Sequence, residues 1–303
     1  MKQIVLWLIL VMVGGCATKK TSPSAEVSAR LRAEAVRGAM GTYNAPPRLS
    51  NRRVDIDRLM AELRDIHANT YNWLIAHGTN DWDDLKLFLP MARQNGLRVW
   101  VTLLPPSESP PHYPVYSEPF RLDYDRWVEE LARLSLAEPS LVAWSIDDFM
   151  HNKSTFTPGR MGQLVSLSKA INPKLAFVPC VYFRQVTPDF AAEYGLLVDG
   201  ILFPYRAESA KMNLTDAQFV ESEVARLREL LGPEMPIILD VYASSHSRLG
   251  SSTAGYVDEA MQRGFRSCDG VLIYCHQNPV NFPDKYGVLK KNFGANKQAG
   301  RSR

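Results

Sequence analysis

Short apolar runs alternate with amphipathic segments along most of this chain. Each apolar run has the length of a buried strand, and the segments between them repeat apolar residues at helical spacing. The predicted strands are 38–43, 70–75, 98–104, 141–146, 175–183, 200–205, 237–242 and 270–276. The predicted helices between them are 57–67, 84–94, 124–136, 161–171, 216–231 and 257–263.

Strands that are apolar on both faces and are separated by helices predict a parallel sheet covered by helices. Eight such units predict an α/β fold in which the sheet closes into a (β/α)8 TIM barrel, as a single domain over residues 36–290. The alternative is an open doubly wound sheet, which would have a glycine-rich turn after its first strand, and this chain has none. Residues 291–303 are basic and polar and are predicted to form a tail.

The first 15 residues have the pattern of a secretory signal peptide. A basic start is followed by an apolar run that ends in small residues, and that run is too short to cross a bilayer as a mature helix. The sequence Val13-Gly14-Gly15-Cys16 resembles the lipobox of bacterial lipoproteins, which implies cleavage before Cys16 and lipidation of its sulfur. The alternative is an ordinary signal peptide with a chance cysteine. Ala17, in place of an aspartate, favours the outer membrane, and residues 16–35 are predicted to be a flexible tether.

The amino-acid composition limits the kinds of molecule that this protein is predicted to bind. Apolar residues make up 46% of the chain and charged residues 22%, with a formal net charge of +3 and interleaved signs, as in an ordinary globular protein. No basic stripe with stacking aromatic residues is present, so nucleic acid is not a predicted partner. Without a nucleotide-binding glycine motif we predict no cofactor, and we predict a monomer.

Two adjacent aspartates, Asp147 and Asp148, directly follow the apolar strand 141–146. Neighbouring carboxylates repel each other, and a partly desolvated carboxylate is costly unless it is paired. Catalysis that needs one proton donor and one anion would use such a pair. The alternative is a strand-to-loop turn in which an aspartate caps the next helix.

Polar and aromatic side chains concentrate at the carboxyl ends of the predicted strands, which meet at one mouth of a barrel where active sites lie. Aromatic rings stack on the apolar faces of sugars, and planar polar groups bind hydroxyls. Asp240 is a third candidate catalytic carboxylate, and the loop 105–120 is predicted to form one wall of the cleft. The predicted substrate-binding residues are Tyr43, Asn72, Trp73, Asn152, Tyr182, Arg184, Tyr205, Arg206, Tyr242, Tyr274 and His276.

Each of these side chains also has a structural interpretation. Aromatic residues at strand ends often serve only in packing. His276 is equally compatible with a buried, hydrogen-bonded structural role. Arg184 and Arg206 could pair with the nearby aspartates instead of binding a ligand.

Three short motifs resemble those of family 84 glycoside hydrolases, the hexosaminidases that include O-GlcNAcase-type enzymes. They are Gly41-Thr42-Tyr43, Asn69-Thr70-Tyr71 and Ile146-Asp147-Asp148-Phe149, and they cover the first four strands. The lysine that follows the second strand in family 84 is not found in residues 77–81. The resemblance implies a TIM-barrel glycosidase that acts on an N-acetylated sugar.

The resemblance also implies a substrate-assisted mechanism, in which the acetamido oxygen of the substrate attacks its own anomeric carbon. Asp147 would then orient the acetamido N–H, and Asp148 would protonate the leaving oxygen, its pKa raised by its charged neighbour. In the rival scheme, Asp240 is the nucleophile or base, and Asp147 or Asp148 is the acid.

The sequence therefore predicts a lipid-anchored glycoside hydrolase that acts on envelope or extracellular glycans and contacts the membrane through its anchor. One alternative is a non-catalytic, carbohydrate-binding barrel lipoprotein. A third hypothesis, a metal-assisted hydrolase, would combine the aspartates with His151 or His276, although no His-x-His spacing supports it. A fold by itself does not decide among these functions.

Overall fold

The computed structural model describes residues 23–301. The predicted signal peptide, the predicted lipidation site at Cys16 and the first part of the predicted tether lie outside the described residues. No helix among the described residues is both long and apolar enough to cross a membrane.

Eight strands form one curled, parallel sheet in the order β5-β4-β3-β2-β1-β10-β7-β6, an arrangement consistent with a TIM-like barrel. The predicted α/β class and the eight parallel strands are thereby confirmed. A short antiparallel hairpin, β8 and β9, follows β7. The strands are β1 Ala39–Tyr43, β2 Thr70–Ile75, β3 Arg98–Leu103, β4 Leu141–Ile146, β5 Ala176–Phe177, β6 Ile201–Tyr205, β7 Ile237–Tyr242, β8 Ser245–His246, β9 Gly250–Ser251 and β10 Gly270–Tyr274.

The fifth strand is much shorter than the predicted range 175–183. Pro179 has no N–H group to donate to a strand ladder, so the regular strand stops before it. The chain beyond still makes backbone hydrogen bonds to β6, because Leu202 N donates to Pro179 O at 2.9 Å and Val181 N donates to Leu202 O at 2.9 Å. These bonds join the segment that follows β5 to β6.

Helices follow most of the strands, and six of them occupy the predicted positions. The helices are α1 Pro23–Val36, α2 Ile56–Asp65, α3 Asp81–Gln94, α4 Tyr124–Ala137, α5 Pro158–Ile171, α6 Pro188–Tyr194, α7 Val220–Leu231, α8 Ala254–Ser267 and α9 Pro283–Arg301. Several begin at a side-chain cap, such as Asp123, which accepts a hydrogen bond from Arg126 N at the start of α4.

Helices occupy parts of the chain that the sequence predicted as a tether and a tail. Helix α1 covers much of the predicted tether, and its Arg32 is only 7% exposed. Arg32 Nε donates to Asp199 Oδ1 at 2.8 Å, and this buried ion pair fixes α1 against the fold. Helix α9 covers most of the predicted tail, and Phe293 in it is fully buried. Contacts made only in the tertiary structure, an ion pair for α1 and apolar packing for α9, therefore order both segments.

The strands alternate between two apolar layers, as the period of two in a strand requires. Trp144 and Ile146 of β4 pack outward against the helices. Ala143, on the same strand, packs inward with Trp100 and Leu202. This alternation matches the predicted orientation of β4 and directs Asp147 to the inner side at the carboxyl end.

Candidate active site

A cavity of about 660 Å³ opens at the carboxyl ends of the parallel strands. Eight of the predicted site residues line it, together with residues of the loop after β3 and of the β8–β9 hairpin. The predicted residues that line it are Tyr43, Asp147, Asp148, Tyr182, Arg206, Asp240, Tyr242 and Tyr274. Carboxyl groups and aromatic rings thus share one cleft.

Asp147 continues the ladder of β4, since its N–H donates to Leu103 O at 3.0 Å. Both of its carboxylate oxygens accept hydrogen bonds, Oδ2 from the Tyr43 hydroxyl and Oδ1 from Asp148 N at 3.0 Å. Burial and the charge of Asp148 raise the pKa of Asp147 to about 6, although the Tyr43 hydrogen bond lowers it. Asp147 therefore binds a proton more readily than an ordinary aspartate.

Asp148 has a left-handed backbone conformation, with φ 41° and ψ 40°. Such strained positions concentrate at functional sites. Its side chain makes no capping hydrogen bond to the following turn of 3-10 helix, so the helix-cap interpretation does not explain it. Asp148 Oδ2 lies 3.2 Å from Nδ1 of His151.

Burial by itself raises the pKa of the Asp148 carboxyl, but hydrogen bonds from His151 and Tyr182 and the charge of Arg206 outweigh it and hold that pKa below its usual range. The hydrogen bond to Asp148 in turn raises the pKa of His151. Asp148 has basic neighbours, whereas the donors to Asp147 are neutral, so Asp148 is the first of the two aspartates to lose its proton. The expectation of a raised pKa at Asp148 was wrong.

Asp240 lies on β7 and is only 2% exposed. Its Oδ1 is buried without a hydrogen-bond partner. Burial first, and the charge of Asp147 second, raise its pKa well above the usual range. A shift in this direction favours the protonated form of Asp240, which does not suit the nucleophile or base of the rival scheme.

Glu108 is a fourth carboxyl group in the cleft and was not predicted as a site residue. It lies on the loop after β3, in a turn of 3-10 helix over Pro106–Glu108. The loop does form a wall of the cleft, through Ser107, Glu108 and Tyr113. Burial, with the charges of Asp147 and Asp148, raises the pKa of Glu108 to about 9. An acidic residue just after a strand end was the sequence signal that could have identified it.

The aromatic wall of the cleft is a set of tyrosines in mutual contact. The Tyr43 and Tyr274 rings lie 5.2 Å apart, and those of Tyr242 and Tyr274 lie 5.3 Å apart. The guanidinium of Arg206 lies 3.8 Å from the centre of the Tyr182 ring and forms an ion pair with Glu208. Arg206 therefore does not neutralise the aspartates through a direct ion pair.

Three predicted substrate-binding residues have their side chains in the interior of the fold instead of the cleft. Asn72 is fully buried, where its Oδ1 accepts a hydrogen bond from Thr102 Oγ1 at 2.8 Å. Trp73 packs in the layer between strands and helices, with its ring 5.2 Å from that of Phe88. The Tyr205 hydroxyl donates to the Asp216 carbonyl at 2.8 Å. The alternation of β2 and β6 turns Trp73 and Tyr205 away from the inner side.

The other three predicted contacts support loops and strand ends. Arg184 donates from Nε to the Glu208 carbonyl at 2.8 Å. Asn152 donates from Nδ2 to the Asp148 carbonyl at 3.0 Å. His276, only 4% exposed, lies between Glu62 and Thr42 and has no free ring nitrogen for a ligand. These three side chains are engaged by the protein itself and do not line the cavity.

The β8–β9 hairpin adds polar side chains to the rim of the cleft, among them His246 and Arg248. This hairpin could not be predicted from the sequence, because its strands are two residues long and have no apolar pattern. Within the described part of the chain, no group of three or more His, Cys, Asp or Glu side chains is arranged to hold a metal ion.

Comparison with solved structures shows the same fold in several glycoside hydrolases. A GH2 β-galacturonidase from Eisenbergiella tayi matches with a TM-score of 0.57 at 14% identity, over 86% of this chain and 51% of that one. A GH113 β-1,4-mannanase matches with a TM-score of 0.58 at 11% identity, over 85% of this chain and 98% of that one. A putative β-galactosidase from Bacteroides fragilis matches with a TM-score of 0.51 at 13% identity, over 78% and 36%.

Because the sequence identities are low, these similarities concern the fold alone. This chain spans about half the length of the galacturonidase. No protein-family model matches the sequence. No curated protein matches it either. The alternating strand pattern and the curled parallel sheet place the chain in the broad structural class to which these glycosidases belong.

Proposed function

We propose that this protein is a glycoside hydrolase that cleaves its substrate in the cleft at the carboxyl ends of the strands. One observation supports this most directly: the cleft brings together Asp148, whose pKa is held low by hydrogen bonds from His151 and Tyr182, and Glu108, whose pKa is raised by burial. Glycosidic bond cleavage needs both states at once, an acid for the leaving oxygen and an anion for the anomeric centre. The similarity in fold to proteins named as glycosidases adds support.

In the proposed reaction, Asp148 faces the positive charge that develops at the anomeric carbon and accepts a proton from the attacking water. His151 and Tyr182 keep Asp148 ionised and fix its orientation. The contacting rings of Tyr43, Tyr242 and Tyr274 offer apolar faces on which a pyranose can stack. Asp147 has a supporting role, because both of its carboxylate oxygens already accept hydrogen bonds from the protein.

The two-carboxylate scheme fits these residues better than the substrate-assisted scheme of family 84. Substrate assistance would require Asp148 to hold the proton, whereas His151 and Arg206 favour its ionised form. We therefore do not extend the resemblance to family 84 to the substrate or to the mechanism.

We further propose that the sheet closes into a complete (β/α)8 barrel. The support is the set of hydrogen bonds between the segment after β5 and β6, together with the parallel bridge between Cys180 and Leu202. Closure would bring Asp148, which follows β4, and Arg206, which follows β6, to the same mouth. The coulombic effect of Arg206 on Asp148 agrees with this arrangement.

We also propose that a lipid on Cys16 anchors the protein, as a monomer, in the outer membrane, where it acts on envelope or extracellular glycans. The support is the lipobox-like Val13-Gly14-Gly15-Cys16 and the Ala17 that follows it. Labelling with a radioactive or alkyne fatty acid in a bacterial host, with Cys16→Ser as the control, tests the anchor. Equal labelling of both proteins would contradict it.

Hydrolysis of a panel of aryl glycosides and bacterial polysaccharides by the protein beginning at Ala17 tests the activity. Asp148→Asn is expected to remove turnover by at least about 100-fold, and Asp147→Asn to reduce it. Asp125→Asn is the matched control, because Asp125 pairs with Arg160 on the exterior. Turnover unaffected by either of the first two changes would overturn the site assignment. Glycan binding without any turnover would favour a non-catalytic sugar-binding barrel.

A further inference from the structure

We propose that Glu108 is the proton donor of this site, giving its carboxyl proton to the glycosidic oxygen as the bond breaks. This inference rests on the proposed glycoside hydrolysis and names a residue that the sequence motifs did not point to. The acid would come from the loop after β3, whereas the paired aspartates follow β4.

The position of Glu108 in the cleft is the first observation. Glu108 lines the same cavity as Asp147 and Asp148, and it lies close enough to both for their charges to affect its protonation. Within the described residues its carboxyl group makes no side-chain hydrogen bond and no ion pair. Its proton is therefore available to a ligand, whereas both oxygens of Asp147 accept hydrogen bonds from the protein.

The second observation is that the loop is fixed to the aspartate turn next to Glu108. Ser107 N donates to Asn152 Oδ1 at 2.9 Å, and Asn152 Nδ2 donates to Ser107 Oγ at 2.9 Å. The same Nδ2 donates to the Asp148 carbonyl at 3.0 Å. Asn152 thus holds the neighbour of Glu108 against Asp148, so the two carboxyl groups keep a defined separation. Asn152 is a positioning residue in this scheme.

The protonation state of Glu108 agrees with its geometry. Burial and two neighbouring aspartates give this carboxyl a pKa of about 9, so it carries its proton at neutral pH. Asp240 also has a raised pKa, but its Oδ1 is buried without a hydrogen-bond partner and the residue is only 2% exposed. Of the carboxyl groups in the cleft, Glu108 combines a bound proton with access to a ligand.

The reaction balances with these groups alone. The bond from the anomeric carbon to the leaving oxygen breaks as the Glu108 proton moves to that oxygen, and the leaving group departs as an alcohol. Water forms the new bond to the anomeric carbon and loses one proton to the Asp148 carboxylate. Exchange with solvent then returns a proton to Glu108 and removes one from Asp148.

Paired substrates with different leaving groups test the assignment. The wild-type protein, Glu108→Gln and the matched control Glu118→Gln are compared on the 2,4-dinitrophenyl and the alkyl glycoside of the sugar that the wild type hydrolyses. Dinitrophenolate departs without a proton, so Glu108→Gln is expected to lose less than about 10-fold on that substrate and at least about 100-fold on the alkyl glycoside. Glu118, on the same loop, pairs with Arg121, and its change is expected to leave both rates within about 2-fold.

The pH dependence gives a second readout. The wild-type kcat/KM is expected to fall through pH 9 as Glu108 loses its proton, and this fall should be absent in Glu108→Gln. Asn152→Ala is expected to show the same dependence on leaving group with a smaller loss. Equal losses on both substrates, or an unchanged alkaline fall in Glu108→Gln, would overturn the assignment while leaving glycoside hydrolysis in place. No turnover by the wild-type protein on any glycoside would remove both proposals.

Discussion

The hydroxyl of Tyr43, at the end of β1, donates a hydrogen bond to the Asp147 carboxylate, just after β4. β2 and β3 lie between these two strands in the sheet, so the bond spans the inside of the curled sheet. It connects the aromatic wall of the cleft with the aspartate pair. The position of the Tyr43 ring and the protonation of Asp147 therefore depend on each other.

Tyr43→Phe removes this donor and leaves the ring in place. Because the hydrogen bond lowers the pKa of Asp147, its loss should raise that pKa above about 6. A hydrogen bond to a charged group contributes about 1.5–3 kcal/mol, which corresponds to an increase of roughly one to two in pKa. Carboxyl-carbon NMR titration of Asp147 measures the change.

Tyr205→Phe is the matched control, because it also removes a buried hydroxyl that donates a hydrogen bond, here to Asp216, outside the cleft. It is expected to lower stability without moving the titration of Asp147. An Asp147 pKa that is the same in Tyr43→Phe as in the wild type would show that the hydrogen bond has no influence on the pair.

The sheet could be predicted from the sequence because the strands are uniformly apolar and the helices between them amphipathic. Tyr43 and Tyr274 could be placed in the cleft for a related reason, since they close strands whose carboxyl ends meet at one edge. Trp73 and Tyr205 were predicted to face the cleft, but they lie on the helix side of their strands. Which side of the sheet a residue faces depends on how its strand is oriented. This orientation is set by packing between strands far apart in the sequence.

Glu108 and the β8–β9 hairpin could not be recognised because their positions depend on loop conformation. The hydrogen bonds between Ser107 and Asn152, which place Glu108 in the cleft, join residues that have no shared sequence pattern. Helix α1 was assigned to a tether because its composition is polar. Its position depends on the buried pairing of Arg32 with Asp199, a contact between residues far apart along the chain.

Replacing the buried aspartates Asp240 and Asp199 by asparagine is expected to change the melting temperature in opposite directions. Asp240 has a raised pKa and a buried oxygen without a partner, so in the folded state it binds its proton more tightly than in the unfolded chain. Its contribution to stability therefore falls as pH rises above the ordinary carboxyl pKa of about 4. Asp240→Asn should raise the melting temperature, and the gain should be larger at pH 8 than at pH 4.

Asp199→Asn is the control, and it is expected to lower the melting temperature. Asp199 accepts hydrogen bonds from Arg32 and from Phe177 N, and breaking a buried ion pair costs about 3–5 kcal/mol. Thermal unfolding of both variants at pH 4, 6 and 8 measures the difference. A destabilising effect of Asp240→Asn that grows with pH would contradict the raised pKa of Asp240.

His276 is expected to matter for stability and not for turnover. His276→Ala would leave Glu62 and Thr42 buried without this partner, at a cost of about 1–3 kcal/mol for each unsatisfied group. The exposed loop residue His112 provides the control, and His112→Ala should change the free energy of unfolding by less than about 0.5 kcal/mol. Chemical denaturation measures both. A normal stability with a large loss of kcat per folded molecule would return His276 to the list of catalytic candidates.

One part of the loop after β3 forms a wall of the cleft, and another part attaches the loop to the sheet. Substitutions can test the two parts separately. Ser117 Oγ accepts a hydrogen bond from Leu104 N at 2.9 Å and donates to the Ile75 carbonyl at 2.7 Å, so Ser117 attaches the loop to β2 and β3. Tyr113 faces the cleft and is 58% exposed. Replacing residues 111–116 by a short glycine-serine linker should therefore raise KM for a polymeric glycan, because the wall is lost while the anchor remains.

The melting temperature of that shortened protein should stay within about 4 °C of the wild type, which corresponds to a cost below about 2–3 kcal/mol for a chain of this size. Ser117→Ala should behave in the opposite way, lowering the melting temperature while leaving KM nearly unchanged, since two buried backbone groups lose their partner. Thermal unfolding and KM measured on the same samples distinguish the two changes. Extensive unfolding of the shortened protein would show that residues 111–116 belong to the structural anchor, and an unchanged KM would show that Tyr113 does not contact the glycan.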